Sequence, residues 1–389
     1  MPTPDNLLEN FLSKLNESIF YREFSFSRND FFPTPGEKKE FADHVVWIND
    51  LLIIFQLKQR EANEAGTEAS ERTWFENKVL KKAKKQIKDT LRFLDQYPRI
   101  TIENRRGHAF SLSKESVRHM IKVIIYEHGE NLPGDCQRIR HYVSSTVGFV
   151  HLIPWRDYAG VCVTLLTPAE LVDYLEFREA VIQRWHKEAM IPSEKALVGQ
   201  FLHSDQIKRP EEGYAHLVDK LRRETKEFDI TYLLNNIGDR LDQATTASNP
   251  LDYYKILAEF AKLNRDYLKE VKARIVACLK AIREDRFMQP TRIIVPTAGC
   301  GYVFIPLPKE SVGNRRDALR NLTLAAKYEH RLQKQIGVTL VKEDDFILMD
   351  WCYMEGPWER HPVLEDMLRR NNPFGELRTE WRNIYEFEE

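Results

Sequence analysis

Residues 43–58 of this chain read DHVVWINDLLIIFQLK. Two runs rich in β-branched and aromatic residues, 44–48 and 51–58, are separated only by Asn49-Asp50, a spacing typical of a hairpin with a two-residue turn. Every residue from 51 to 55 is apolar, which indicates a strand buried on both faces of its sheet. This stretch therefore predicts two antiparallel strands inside a sheet that other elements cover.

The predicted hairpin brings three polar side chains together. Residues paired across a two-residue turn have numbers with a constant sum, so Asp43 lies opposite Gln56. Directly opposed side chains point to the same face with Cβ atoms about 5 Å apart, and Lys58 shares that face about 6.6 Å farther along the strand. We expect an acid, a carboxamide and an ammonium group to converge. In the alternative interpretation, Asp43 only begins a strand, and Gln56 and Lys58 only face solvent.

A hard cation such as Mg²⁺, or Mn²⁺ in its place, suits this trio, because both ions prefer oxygen ligands. Asp43 can supply the negative charge, and either Gln56 Oε1 or the backbone carbonyl of Leu57 can supply a further ligand. Lys58 is then positioned to orient the attacking water or to neutralise the charge that develops on a phosphate. Hydrolysis of a phosphodiester bond fits these parts.

Further helices and strands are predicted on both sides of the hairpin. Apolar residues recur at helical spacing over 5–19 and over 73–94, and short strand patterns occupy 23–26, 99–103 and 121–126. The order over about the first 130 residues is helix, strand, hairpin, helix, strand. These elements predict a mixed α/β (α+β) fold.

This region resembles the PD-(D/E)XK nuclease superfamily, which has the restriction-endonuclease-like fold. Ala42-Asp43 stands where the family has Pro-Asp, and Gln56-Leu57-Lys58 stands where it has Glu-x-Lys. A Gln in that position is similar to the variant found in Mrr-like restriction enzymes. The resemblance implies an α-β-β-β-α-β core over residues 1–130, followed by mostly helical and small α+β modules. It also implies metal-dependent nuclease activity with Asp43, Gln56 and Lys58 as catalytic residues.

The resemblance carries two further expectations. Members of the family often add a metal-binding Glu from the first helix, and Glu17 or Glu9 could serve here. Many Mrr-like nucleases act in prokaryotic defence against foreign nucleic acid, so a role in antiviral defence is expected by analogy.

The helix predicted over 73–94 carries a strongly basic face. Seven cations stand against the lone Asp89 between residues 78 and 92, enough to follow a phosphate backbone. The alternative is an ordinary solvated helix face. Arg105 and Arg106 either extend the basic patch or only solvate a turn. The lysines that we expect to bind nucleic acid, DNA in preference to RNA, are Lys78, Lys81, Lys82, Lys85 and Lys88.

The whole chain of 389 residues is nearly neutral, with 58 Lys and Arg against 59 Asp and Glu. Any binding to nucleic acid must therefore come from a local patch. The apolar run 51–55 is far too short to span a bilayer, and the N-terminus lacks a signal-peptide pattern, so we expect no membrane association and a cytoplasmic location. The five cysteines form no C-x-x-C pair, which favours reduced thiols.

Residues 131–250 are expected to form either a mixed α/β continuation of the first domain or a middle module, and residues 251–389 an α+β module for target recognition or assembly. A homodimer or a partner subunit could use these modules. Two other functions remain open at this stage. One is a catalytically inactive nuclease-like subunit that binds or scaffolds, and the other is a ribonuclease or toxin effector on the same scaffold.

Overall fold

The computed structural model describes residues 7–27, 29–34, 36–60, 66–204, 206–222, 238–239, 251–381 and 383–389. Their architecture is mixed α+β, which confirms the predicted fold class. The chain divides into two compact units. Unit 1 comprises Met1–Arg223 with Tyr385–Glu389, and unit 2 comprises Glu224–Ile384. The expected boundary at residue 250 lies outside the described residues.

Unit 1 contains ten strands and eight α-helices in the part of the chain that is described. The strands are β1 Ser25–Phe26, β2 Asp30–Thr34, β3 Glu37–Glu40, β4 His44–Ile48, β5 Leu51–Gln59, β6 Ile100–Glu103, β7 Ala109–Leu112, β8 His119–Glu127, β9 His141–Ser144 and β10 Gly148–Pro154. The helices are α1 Leu7–Phe24, α2 Glu68–Trp74, α3 Ala83–Gln96, α4 Gly134–Gln137, α5 Trp155–Thr164, α6 Pro168–Trp185, α7 Glu194–His203 and α8 Ala215–Lys220. A π-helical segment, Phe75–Lys82, joins α2 to α3 without a break.

Six of these strands form one sheet in the order β1-β4-β5-β8-β10-β9. The pairing of β4 with β5 runs from His44↔Phe55 to Ile48↔Leu51, so the predicted hairpin and its register are confirmed. The turn places Asn49 at a φ of 54°, a left-handed conformation that Asn tolerates better than most residues. β5 pairs with β8 in parallel, and β8 pairs with β10 in parallel.

Two features of this region could not be predicted from the sequence pattern. The six-stranded sheet continues past residue 130 to residue 154, because β10 pairs with β8. The strand predicted at 99–103 exists as β6, but it pairs with β7 in a separate two-stranded sheet. A local pattern identifies a strand without identifying its partner, so neither result could be read from periodicity.

Helices cover both faces of the large sheet. On one face, Ile54 packs in a cluster with Phe93 and Leu94 of α3. On the other face, Phe55 contacts Tyr158 of α5, whose hydroxyl donates to Asn16 of α1. Because side chains alternate along a strand, Gln56 and Lys58 lie on the same face as Ile54, beneath the lysine-bearing helix.

Unit 2 is built on a four-stranded sheet with the order β11-β12-β13-β14, of which β12 and β13 are parallel. Its cluster of buried side chains includes Val303 and Ile305 of β12. The strands are β11 Thr291–Val295, β12 Cys300–Leu307, β13 Lys334–Glu343 and β14 Phe346–Glu355, and the helices are α9 Tyr253–Phe260, α10 Arg265–Arg283, α11 Arg315–Glu329 and α12 Pro362–Arg370. In the described portion of both units, no helix is long and apolar enough to cross a membrane.

Candidate functional site

Three predicted site residues meet at the carboxyl end of β5. Asp43 directly precedes β4, and its Oδ2 accepts a hydrogen bond from the Leu57 N–H at 2.6 Å. The end of the buried Gln56 carboxamide lies 3.3 Å and 3.1 Å from the two Asp43 oxygens, and the surroundings assign its nitrogen to that position as a donor. Lys58 Nζ lies 3.5 Å from Asp43 Oδ2. The convergence that the hairpin register predicts is therefore present in the structure.

The ammonium group of Lys58 is buried and held by two oxygens. It donates to the backbone carbonyl of Leu57 at 2.6 Å and pairs with Asp43. Burial lowers the pKa of Lys58, the charge of Asp43 acts in the opposite direction, and the positive charge of Lys82 lowers it further. The carbonyl that the sequence proposes as a metal ligand is thus occupied by a cationic side chain of the protein itself.

Two more carboxyl groups lie near Asp43. The pKa of Glu9, in the first turn of α1, is raised by loss of solvent around the carboxyl and then by the negative charge of Asp43. The same two causes, in the same order, raise the pKa of Glu40 at the end of β3. The Leu8 N–H donates to Gln59 Oε1 at 3.3 Å, which places this turn of α1 beside the end of β5.

Of the two helix carboxylates considered from the sequence, Glu9 is therefore the one at the site. Glu17 accepts hydrogen bonds from Arg105 at 2.8 Å and from the Ser13 hydroxyl at 2.8 Å instead. The expectation that Glu17 holds the metal is not supported, because its carboxylate is already neutralised elsewhere. The sequence does not single out Glu40, because the short β2–β3 hairpin that carries it has no strand pattern of alternating apolar residues.

The five lysines proposed to bind nucleic acid are exposed along the π-helical segment and α3. Among them, Lys82 lies close enough to Lys58 to affect its pKa, which connects the basic face to the trio. Lys81 donates to Asn77 at 3.1 Å, an exposed contact that leaves its charge available to solvent. The set is Lys78, Lys81, Lys82, Lys85 and Lys88.

Arg105 and Arg106 do not belong to this basic face. Arg105 pairs with Glu17 at 2.8 Å, and Arg106 pairs with Glu23 at 2.9 Å; both acids belong to α1. Burial lowers the pKa of His44 and the charge of Arg105 lowers it further; the His44 side chain alternates to the face opposite Lys58. The expectation that these arginines extend the lysine patch is therefore replaced by a role in attaching the β6–β7 turn to α1.

The oxygen donors at the trio suit a hard divalent cation. Asp43 supplies a carboxylate, Leu57 a carbonyl and Gln56 a carboxamide, which are the ligand types that Mg²⁺ and Mn²⁺ accept. Within the residues that the structure describes, no group of three or more His, Cys, Asp or Glu side chains could hold a metal. A cation here would have to use the Gln56 amide oxygen and the Leu57 carbonyl oxygen as ligands. The Gln56 carboxamide would then rotate to point its oxygen toward Asp43, and Lys58 would give up its hydrogen bond to the Leu57 carbonyl.

Comparison of this chain with protein-family models, with curated proteins and with solved structures found no match.

Proposed function

We propose that unit 1 is a divalent-metal-dependent nuclease that hydrolyses phosphodiester bonds, with DNA favoured over RNA as substrate. The observation that carries the proposal is the meeting of Asp43, Gln56 and Lys58 at the end of β5, where the charge of Lys82 on the basic helix acts on Lys58. The carboxyl ends of parallel strands are where sheets with covering helices commonly place their sites. The helix, antiparallel hairpin, helix and parallel strand around the trio agree with the resemblance to PD-(D/E)XK nucleases.

Each member of the trio has a distinct role in this proposal. Asp43 and Gln56 would hold Mg²⁺ or Mn²⁺, with the Leu57 carbonyl as a further ligand. When bound, the metal would supply positive charge that polarises the phosphate. Lys58 would donate a hydrogen bond that orients the attacking water, or one to a phosphate oxygen whose developing charge it neutralises, and its burial would strengthen that interaction.

The lysine face would hold the phosphate backbone on either side of the bond that is cleaved. If all five lysines contact phosphates, log K for duplex DNA should fall with log of the salt concentration with a slope of about −4.5. Measuring affinity between low and moderate salt checks this value. A slope near zero would show that the face is only solvated.

A second function, a catalytically inactive subunit that binds or scaffolds, is favoured by one specific observation. Lys58 Nζ already contacts the Leu57 carbonyl and Asp43, and the Gln56 nitrogen faces the same carboxylate. The hydrogen-bonding capacity of the site is thereby satisfied by the protein itself. In this alternative the lysine face would still bind nucleic acid.

Incubating the full chain with plasmid DNA and with RNA, in Mg²⁺, Mn²⁺ or EDTA, separates these functions. The nuclease proposal expects metal-dependent cleavage by the wild type and its loss in Lys58→Ala. Lys114→Ala is the matched control, because Lys114 is exposed and its partner Asp95 also lies at the surface. Binding without cleavage would favour the inactive subunit, and cleavage of RNA alone would favour the ribonuclease or toxin alternative.

Two broader proposals follow from the resemblance alone. Action in the cytoplasm and a role in prokaryotic defence against foreign nucleic acid are both expected of an Mrr-like nuclease. Protection of bacteria from phage by the wild type, absent with Lys58→Ala, would support the second proposal.

A further inference from the structure

β14 forms an open edge of the sheet in unit 2. It pairs with β13 without interruption over ten residue pairs, from Lys334↔Glu355 to Glu343↔Phe346. On its other side, no strand among the described residues pairs with it, because the sheet order ends at β14. Every second backbone N–H and C=O of a long, regular strand is therefore directed outward without a strand partner.

Three features that usually prevent strand pairing are absent from the sequence and register of this edge. Its sequence, FILMDWCYME, contains no proline and no lysine, and the regular register excludes a bulge. The one charge in its middle, Asp350, is neutralised by Arg315 at 2.8 Å. The opposite edge strand, β11, has only five residues and carries Arg292. β14 is thus built as a pairing edge, and β11 is not.

We propose that β14 pairs antiparallel with β14 of a second copy of this chain, which joins two four-stranded sheets into one sheet of eight strands. A second copy is the occupant that covers both open edges at once, and it does so through a closed two-fold interface. The proposal concerns assembly and does not depend on the nuclease proposal.

The sequence of β14 also selects the register. A two-fold axis perpendicular to the sheet places one residue opposite its own copy, and the registers that keep most of β14 paired centre on Asp350 or Trp351. Centring on Asp350 would oppose two carboxylates, which is unfavourable. Centring on Trp351 opposes two indoles and places Met349 opposite Tyr353, a favourable contact between sulfur and an aromatic ring. The Trp351 register therefore fits best.

Charge substitution at Trp351 tests this interface in the full-length protein. We expect the wild type to form dimers in sedimentation equilibrium, and Trp351→Lys and Trp351→Glu each to weaken the dimer at least about tenfold, because the aromatic pair is lost and like charges face each other. Mixing the two variants in equal amounts should restore dimers, since opposite charges then meet at the axis. Phe287→Lys is the control, because Phe287 is also aromatic and is exposed to solvent but lies in a loop.

A wild type that stays monomeric, variants that dimerise like the wild type, or a mixture that stays monomeric would each overturn the proposal. The ring centroids of Trp351 and Phe260 lie 5.9 Å apart, so substituting Trp351 removes a contact within unit 2. Circular dichroism must therefore show that both variants fold. A measurement on the wild type alone is independent of that condition. Amide hydrogen exchange across Phe346–Glu355 should slow as protein concentration rises, and exchange that does not change with concentration would contradict the paired edge.

Discussion

Replacing Gln56 by Glu shows how the trio responds to a second carboxylate. The end of the buried Gln56 side chain lies 3.1 Å and 3.3 Å from the Asp43 oxygens. Glu has nearly the same shape, so Gln56→Glu replaces a hydrogen bond with two carboxylates at that separation. With an effective dielectric constant of about 20, their repulsion would be about 5 kcal/mol.

The folded variant can avoid part of this cost by holding a proton between the two carboxylates. At pH 7, protonating a Glu whose ordinary pKa is about 4.3 costs about 4 kcal/mol. We therefore expect Gln56→Glu to lower the free energy of unfolding by about 4 kcal/mol in EDTA. A divalent cation between the carboxylates removes the repulsion, so Mn²⁺ should restore most of this loss and stabilise the wild type less.

Urea unfolding at pH 7, with EDTA or with saturating Mn²⁺, measures both effects. Gln96→Glu is the matched control, since Gln96 is exposed at the end of α3 and the substitution changes the net charge equally. Equal stability of Gln56→Glu and wild type in EDTA would refute the close approach of these side chains. A gain from Mn²⁺ in Gln56→Glu no larger than in the other two proteins would refute a cation held between residues 43 and 56, and no gain in any of them would refute a cation site at Asp43.

Three further substitutions test the packing of unit 1. Burial, with a nearby arginine, lowers the pKa of His44 to about 3. Below about pH 6.5 the unfolded chain therefore takes up a proton at His44 and the folded chain does not, so the free energy of unfolding should fall by about 1.4 kcal/mol between pH 7.5 and 5.5. Urea titrations of His44→Leu should lack that loss. In the wild type, the fully buried Arg178 pairs with Glu194 at 2.7 Å. Glu194→Ala leaves Arg178 without a counter-charge, so the free energy of unfolding should drop by about 3–5 kcal/mol. A drop under 1 kcal/mol in chemical denaturation would contradict this. Gly129→Ala brings a methyl group to 2.7 Å from Glu71 Oε1, and calorimetry should show a loss of about 1–3 kcal/mol, whereas an unchanged melting temperature would mean that Glu71 moves freely.

Much of the trio could be predicted because it depends on short-range pattern. A two-residue turn at Asn49-Asp50 determines the register, and the register determines that Asp43 faces Gln56. The choice between Glu9 and Glu17 could not be made in this way. Both lie on α1, and only the packing of its first turn against Gln59 brings Glu9 to the site.

Two arginines show the same limit of prediction from local sequence. Arg105 and Arg106 look like surface cations in the sequence, yet both pair with acids of α1 that are more than 80 positions away. The extension of the large sheet beyond residue 130 could not be predicted for a related reason. A strand pattern near residue 150 does not reveal that its partner is β8, because pairing partners are chosen by the packing of the whole sheet.

The sequence by itself determined the hairpin, its register, the basic face of the long helix and the mixed α+β class, because each depends on residues close together in the chain. Only the tertiary structure decided that the charge of Lys82 reaches Lys58, that Lys58 donates to the Leu57 carbonyl, and that β14 is the last strand of its sheet among the described residues. These outcomes depend on which distant elements bury one another. Burial of apolar surface is roughly proportional to area and has no direction, so it selects partners only through the shape of the assembled core.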